Sequence, residues 1–389
     1  MIFSSLPRTL RQQLGRPRAC LCPLPKNSHC QGGDVTTKKR VTMEDVSQKA
    51  QVSLTTVSMI LNKRADMSFA QETVQRVLDA ARELGYKKPE YARTRPLTDS
   101  KTIVIVCPNI TNAYYATIAQ AIQRAAAKRE YTGIILTTYR SAQREEEALE
   151  MALSLGVSGI IFTMMPQKAE RIEEINRKIP IVVIGDRNTS LNVDTIELDN
   201  FKAGTLIGQH LLELGHRRIA FISTTLDAVN NIRRRRLAGL QEALEDKGAT
   251  LQVLSRDITP EEELDNLNIE YATGLALTEE CLKRYPKCTA LVAVNDSVAY
   301  GVLDALAAHG LKVPEDRSVC AFDNLPFSRL SCMDLTSVEH HIADKGRNAF
   351  EMFFERISKK STNNITRVEF SHYLRVGKTT GPCPGSRES

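Results

Sequence analysis

Between Thr42 and Asn62 the 389-residue chain gathers short hydroxyl and amide side chains at positions that suit helix starts and one helix face. Thr42 with Asp45 three residues on, and Ser68 with Gln71 three on, have capping-box spacing, and Ser53 is placed to cap the helix that follows it. The hydroxyls of Thr42, Ser53, Thr56 and Ser68, with the unbonded amides of such helix starts, suit phosphate oxygens. Leu54, Thr55, Ser58, Met59 and Asn62 take the outward positions of the second helix, from which side chains would reach base edges in a DNA major groove.

A helix-turn-helix would position such a set. Small Ala50 permits close approach of two helices, Val52 seals the turn, and Val57, Ile60 and Leu61 form the inner face of the second helix. A third helix, from about Phe69 to Leu84, is predicted to bury Val74, Val77, Leu78, Ala81 and Leu84, which recur at three- and four-residue steps. The same spacing suits a three-helix bundle with no nucleic-acid role, and charge does not decide between them: residues 41 to 100 hold nine basic and eight acidic side chains. The chain's net charge is +6, yet residues 1 to 40 alone carry eight basic groups against one aspartate. That leader, rich in Pro, Gly, Gln and Ser, reads as a disordered basic tail, with Met43 an alternative start.

Beyond a Pro-containing basic linker at residues 87 to 101, β-branched runs alternate with amphipathic stretches, the pattern of β-α-β units and a parallel sheet. Two sets of four strands are predicted. The first runs Thr102 to Cys107, 133 to 138, 159 to 163 and 179 to 184, and the second 218 to 222, 251 to 255, 290 to 293 and 319 to 322. The expected fold is therefore α/β, with a small all-α headpiece, a linker, and a two-lobed doubly wound core over residues 102 to 380, followed by a disordered tail at 381 to 389. Ligands of such sheets bind beyond the carboxyl ends of the strands, which makes the cleft between lobes the expected small-molecule site.

Nine cysteines without paired spacing argue for a reducing compartment, and Cys20, Cys22, His29 and Cys30 match no standard zinc pattern, so no metal or cofactor is expected. No apolar run is long enough for a membrane span. The chain has no G-x-G-x-x-G and no H-E-x-x-H. Gly377-Lys-Thr-Thr is only half a phosphate loop, with His372 at the place of its first glycine. An enzyme is not expected.

The motifs Val41-Thr-Met-Glu-Asp-Val, Val52-Ser-Leu-Thr-Thr-Val-Ser and Arg76-Val-Leu-Asp-Ala-Ala-Arg-Glu-Leu-Gly-Tyr86 resemble the DNA-binding headpiece of the LacI/GalR transcriptional regulators. Glu197-Leu-Asp199-Asn200, Gly215-His216-Arg217, Arg236-Leu-Ala-Gly239, Asn295-Asp296 and Phe322-Asp323-Asn324 are similar to that family's effector-binding core. The resemblance implies a cytoplasmic bacterial regulator, usually a dimeric repressor, that binds double-stranded operator DNA and a sugar-like effector; a sugar receptor would need the lobes but not the headpiece. It places Tyr86 in the headpiece and Ala92, Arg93 and Arg95 in a hinge that enters the minor groove. Three departures stand out. Gln51 occupies a turn position where the family usually has Gly. Met59 stands where many members carry a base-reading arginine, favouring apolar contact with a thymine methyl. Arg95 replaces a wedging leucine, so weaker DNA bending is expected. No leucine heptad closes the chain, so a dimer rather than a tetramer is expected.

For the effector, the resemblance points to Tyr114 and Tyr115 after the first core strand and to Arg236 as the clamping arginine, and position at the ends of core strands adds Asp186, Asn295 and Asp323. The rest of the run Arg233 to Arg236 is expected largely to face solvent, and Asp199-Asn200 and Gly215-His216-Arg217 to be structural.

Overall fold

The computed structural model describes residues 41–61, 69–86, 100–186, 191–227, 231–358 and 364–384. The chain divides into an N-terminal unit and a larger C-terminal one, each described here by itself.

The N-terminal unit holds α1 (Met43–Ala50), α2 (Leu54–Leu61) and α3 (Gln71–Glu83). α1 opens on the expected capping box: Asp45 N donates to Thr42 Oγ1 (3.3 Å) and Thr42 N to Asp45 Oδ2 (2.7 Å). The turn is made by Gln51 in the left-handed region (φ 52°, ψ 44°), where a side chain is strained and glycine is not. Ser53 Oγ accepts from Thr56 N at the start of α2. Val46, Ala50, Val57, Ile60, Val77, Ala80 and Ala81 form the shared core. Leu78, expected inside, is 40% exposed. Ala80 takes the inward place because it lies three residues from Val77 on the helix, whereas Leu78 is rotated about 100° away from Val77.

The larger unit has two lobes. The first begins β1 (Thr102–Cys107), α4 (Ala113–Ala127), β2 (Thr132–Thr137), α5 (Ala142–Leu155), β3 (Gly159–Phe162), α6 (Ala169–Asn176), β4 (Ile181–Asp186) and β5 (Asp194–Leu198). The chain then crosses to the second lobe, which contributes α7 (Asn200–Glu213), β6 (Arg218–Thr224), α8 (Asn231–Leu244), β7 (Thr250–Arg256), α9 (Pro260–Asp265) and α10 (Ile269–Arg284). β8 (Ala290–Ala293), α11 (Asp296–Ala308), β9 (Ser318–Asp323) and β10 (Thr336–Glu339) follow. A second crossing leads to α12 (Ile342–Ser358) and β11 (Arg367–Phe370) of the first lobe, and a third to β12 (Tyr373–Arg375).

The two sheets run β11-β5-β4-β3-β1-β2 and β12-β10-β9-β8-β6-β7. Every pairing is parallel except the terminal β10–β12. Each sheet thus has six strands where four were predicted. The four unforeseen strands, β5, β10, β11 and β12, are those that flank the crossings. Apolar residues fill both faces of the first sheet, Ile103, Ile105 and Ile161 on one side and Val104, Val106 and Ile160 on the other, as burial by helices on both faces demands.

α7 and α8 cross so closely that a Cβ at Gly204 would lie 2.0 Å from Arg236 O, and one at Gly239 would lie 1.8 Å from Phe201 O. That contact fixes the helix that carries Arg236. His216 is fully buried: its Nδ1 pairs with Thr289 Oγ1 (2.9 Å) and its Nε2 with Ser318 Oγ (3.0 Å) and Gly381 O (3.1 Å). Gly381 and Cys383, placed by the sequence reading in a trailing tail, are bonded into this lobe, Cys383 N donating to Leu214 O. Among the described residues no helix is long and apolar enough to cross a membrane.

Candidate functional site

Helix starts and strand ends of both lobes converge on a cleft. Its floor is a buried polar cluster around Arg236, which α8 carries inward. The guanidinium donates to Asn200 Oδ1 (3.0 Å), Val294 O (2.6 Å) and Asp323 Oδ1 (3.3 Å), and lies 4.7 Å from the Phe322 ring centroid. Asp323 closes β9 with an unusual φ of 113°. Burial pushes its carboxyl up to about 7 against the pull of Arg236. His340 is wholly buried with Nδ1 3.2 Å from Arg236 Nη2, and burial, then Arg236, hold its ring neutral. Lys345 of α12 is also wholly buried and donates to the Tyr114 hydroxyl (2.6 Å); burial lowers its ammonium to about 7.

Five of the six residues expected to meet the effector, Tyr114, Tyr115, Arg236, Asn295 and Asp323, line one cavity of about 80 Å³. Asn295 also caps α11, its Oδ1 accepting from Val298 N (2.9 Å). The sixth, Asp186, is buried beside the cavity but does not line it. Its carboxylate accepts from the amide and side chain of Asn200 (3.3 and 3.1 Å) and pairs with Arg235 Nε (2.8 Å), so it ties the first lobe to the start of α7 and to α8.

The arginine run departs from its expected solvent face: only Arg234 is exposed. Arg233 and Arg236, three residues apart and so on one side of α8, both line the cavity, while Arg235 reaches Asp186 and Asp199. Burial, then the neighbouring Arg140, lower the Arg233 guanidinium to about 10. Asp199 acts structurally, capping α7 by accepting from Lys202 N (3.1 Å), but Asn200 also faces the cavity.

Sequence reasoning missed the residues that bridge the lobes. Glu263 of α9 accepts from Asn109 and Arg140 across the cleft. Glu270 of α10 accepts from Asn112 Nδ2 of the first lobe (2.6 Å) and Asn295 Nδ2 of its own (3.1 Å), with Arg233 Nη2 at 3.6 Å. Arg140 also donates to the Tyr115 hydroxyl (3.3 Å). Carboxylates, guanidiniums and amides in fixed orientation beside two tyrosines are the donor and acceptor set that orients a polyhydroxylated ligand.

In the N-terminal unit, Thr42, Ser53 and Thr56 stand at the two helix starts as expected, and Leu54, Thr55, Ser58 and Met59 lie on α2. Tyr86 packs against the three-helix core. Asn62, Ser68, Ala92, Arg93 and Arg95, with the leading tail, lie outside the described residues.

Comparison with known proteins gives two matches to family models. Residues 42–89 match "Bacterial regulatory proteins, lacI family", and residues 100–375 match "Periplasmic binding proteins and sugar binding domain of LacI family". Catabolite control protein A of Priestia megaterium is 27% identical over 87% of this chain and 99% of its own length. The transcriptional repressor PurR of Erwinia tasmaniensis is 30% identical over 84% of this chain and 93% of its own. A LacI-family transcriptional regulator of Silicibacter pomeroyi has a similar crystal structure, with a TM-score of 0.65, 25% identity, and coverage of 87% of this chain and 99% of that one.

Proposed function

The chain belongs to the LacI family of bacterial regulatory proteins, and from that premise we propose that it is a dimeric operator-binding repressor whose DNA affinity is set by a sugar-like effector held between its lobes. The observation that carries the effector half of this reading is the buried Arg236, its hydrogens directed at Asn200, Val294 and Asp323 on the cavity wall. Tyr114, Tyr115, Arg236, Asn295 and Asp323 contact the ligand; Asp186 positions Asn200 and Arg235 instead.

Residues 41 to 86 form the DNA-reading unit, with Thr42, Ser53, Thr56 and Ser68 at phosphates and Leu54, Thr55, Ser58, Met59 and Asn62 at base edges. Tyr86 completes the unit, and residues 87 to 101, with Ala92, Arg93 and Arg95, form the minor-groove hinge. Two copies in a dimer read the half-sites of a pseudo-palindrome. Coupling is a population shift: a ligand that prefers one lobe arrangement biases the headpiece spacing that DNA requires. The protein acts in the bacterial cytoplasm and performs no catalysis. A receptor role is disfavoured because it has no use for a capped three-helix headpiece. A genomic-library footprint of the purified protein tests the reading: enrichment of one pseudo-palindromic sequence supports it, and binding that follows no sequence overturns it.

A further inference from the structure

The Arg236 cavity does not end at Arg140 and Arg233. On their far side lies a second cavity, of about 140 Å³ beside the first at about 80 Å³. Arg140, Arg233 and Glu270 line both, so the two are compartments of one cleft divided by charged side chains. Resting on the effector reading above, we propose that the ligand is an uncharged two-ring sugar, a disaccharide or glycoside, with one ring over Arg236 and the second in the outer compartment.

The chemistry of the outer compartment repeats what a sugar ring needs. Ile258, Pro260 and Ile269 supply apolar surface for a ring face, and Tyr139 an aromatic edge. Asp227, Glu263 and Glu270 supply carboxylates, and Arg140 and Arg233 donors, for hydroxyls. The charge count argues against a phosphate or carboxylate on that ring, because three acids already face two guanidiniums and would repel a further anion. A monosaccharide over Arg236 would leave the outer compartment to water. The partition is also one that a ligand can open. Arg140 and Glu263 come from different lobes, so a small lobe movement separates them, and hydroxyls of a bridging sugar can replace each of the hydrogen bonds lost. Thr138 and Thr224, whose buried hydroxyls have no hydrogen-bond partner among the described residues, immediately precede Tyr139 and Thr225 of the compartment wall.

The chain contains no tryptophan, so Ile258→Trp both fills the outer compartment and provides a fluorescence reporter. Calorimetry on the full chain with cellobiose, maltose, lactose and sucrose, and with their component monosaccharides, tests the proposal. We expect at least one disaccharide to bind tenfold or more tightly than either component. Ile258→Trp is expected to weaken that disaccharide tenfold or more while leaving monosaccharide binding within twofold, and Ile258→Ala to leave both measurable. A monosaccharide that binds as tightly as every disaccharide overturns the proposal, as does an Ile258→Trp protein that loses both ligands equally while retaining operator affinity. Absence of binding by all these sugars, with operator binding intact, overturns it while leaving the DNA-binding reading standing. Failure of the unmodified chain to bind any operator strikes that reading instead.

Discussion

Gln51→Gly is expected to stabilise the N-terminal unit, by an amount that follows from one pair of dihedral angles. Gln51 sits at φ 52° and ψ 44°, with its amide donating to the carbonyls of Ser47 and Gln48 at the end of α1. Holding a side chain in the left-handed region costs about 1–2 kcal/mol. Glycine removes that cost but loses about 0.5–1 kcal/mol through the greater freedom of the unfolded chain. At the middle of both ranges the net gain is about 0.5–1 kcal/mol, a two- to fivefold change in the opening equilibrium at about 0.6 kcal/mol for RT. Hydrogen exchange on the full chain reads it directly. The amides of Val46 and Val57, which donate to Thr42 O and Ser53 O, should exchange two- to fivefold more slowly, while that of Ile105 in β1 should not change. Gln51→Val should act in the opposite direction, since β-branched residues tolerate this region least. Faster or unchanged exchange in the glycine variant, or equal exchange in the valine variant and the parent, would refute the reasoning.

Gly239→Ala should destabilise the core by about 1–3 kcal/mol or more, since its Cβ would meet Phe201 O at 1.8 Å and force α7 and α8 apart; a drop in melting temperature together with weakened effector binding is the expected result, and an unchanged melt contradicts it. Lys345→Met should change how stability depends on pH. The Lys345 ammonium falls from its ordinary 10.5 to about 7 in the folded protein, so the parent gains stability as pH rises from 7 towards 10.5 and loses it again as pH falls. The methionine variant lacks that component, so its advantage over the parent should shrink by about 3 kcal/mol between pH 7.5 and 9.5, at about 1.4 kcal/mol per pH unit. Urea titrations at the two values check this, and a gap that does not move contradicts it. Replacing Arg95 with leucine should increase DNA bending, measured by the mobility of circularly permuted operator fragments, with equal bending the contrary result.

What the sequence discloses depends on whether a signal is local. The eight core strands read from β-branched runs all exist, because strands buried on both faces must be apolar throughout. β5 and β11 escaped notice because they are polar for a physical reason. Asp194 of β5 is buried against Arg356, and Glu197 of β5 pairs with Arg367 of β11, partners some 160 to 170 residues away that no window can see. The capping box at Thr42 and the cap at Ser53 were legible because both partners lie within three residues, whereas the same spacing at Ser68 and Gln71 did not mark the cap of α3, which starts at Gln71 after Ala70 with no side-chain cap. In the cleft, the strand-end residues Asn295 and Asp323 were legible from strand position. Arg233 was hidden in a basic run that resembles a solvated face, and Glu263 and Glu270 gain their place only when the two lobes meet.

If the cleft between the lobes controls the headpiece's grip on DNA, ligand binding must change operator affinity. Operator binding by the full chain, followed by fluorescence anisotropy with and without saturating amounts of a sugar shown by calorimetry to bind, tests it most directly. A change in operator affinity of about 5- to 150-fold, the usual span of such coupling, is expected. Arg236→Lys is expected to abolish the change while retaining ligand-free operator affinity. An operator affinity that stays constant while the sugar is demonstrably bound would show that the cleft does not control DNA binding.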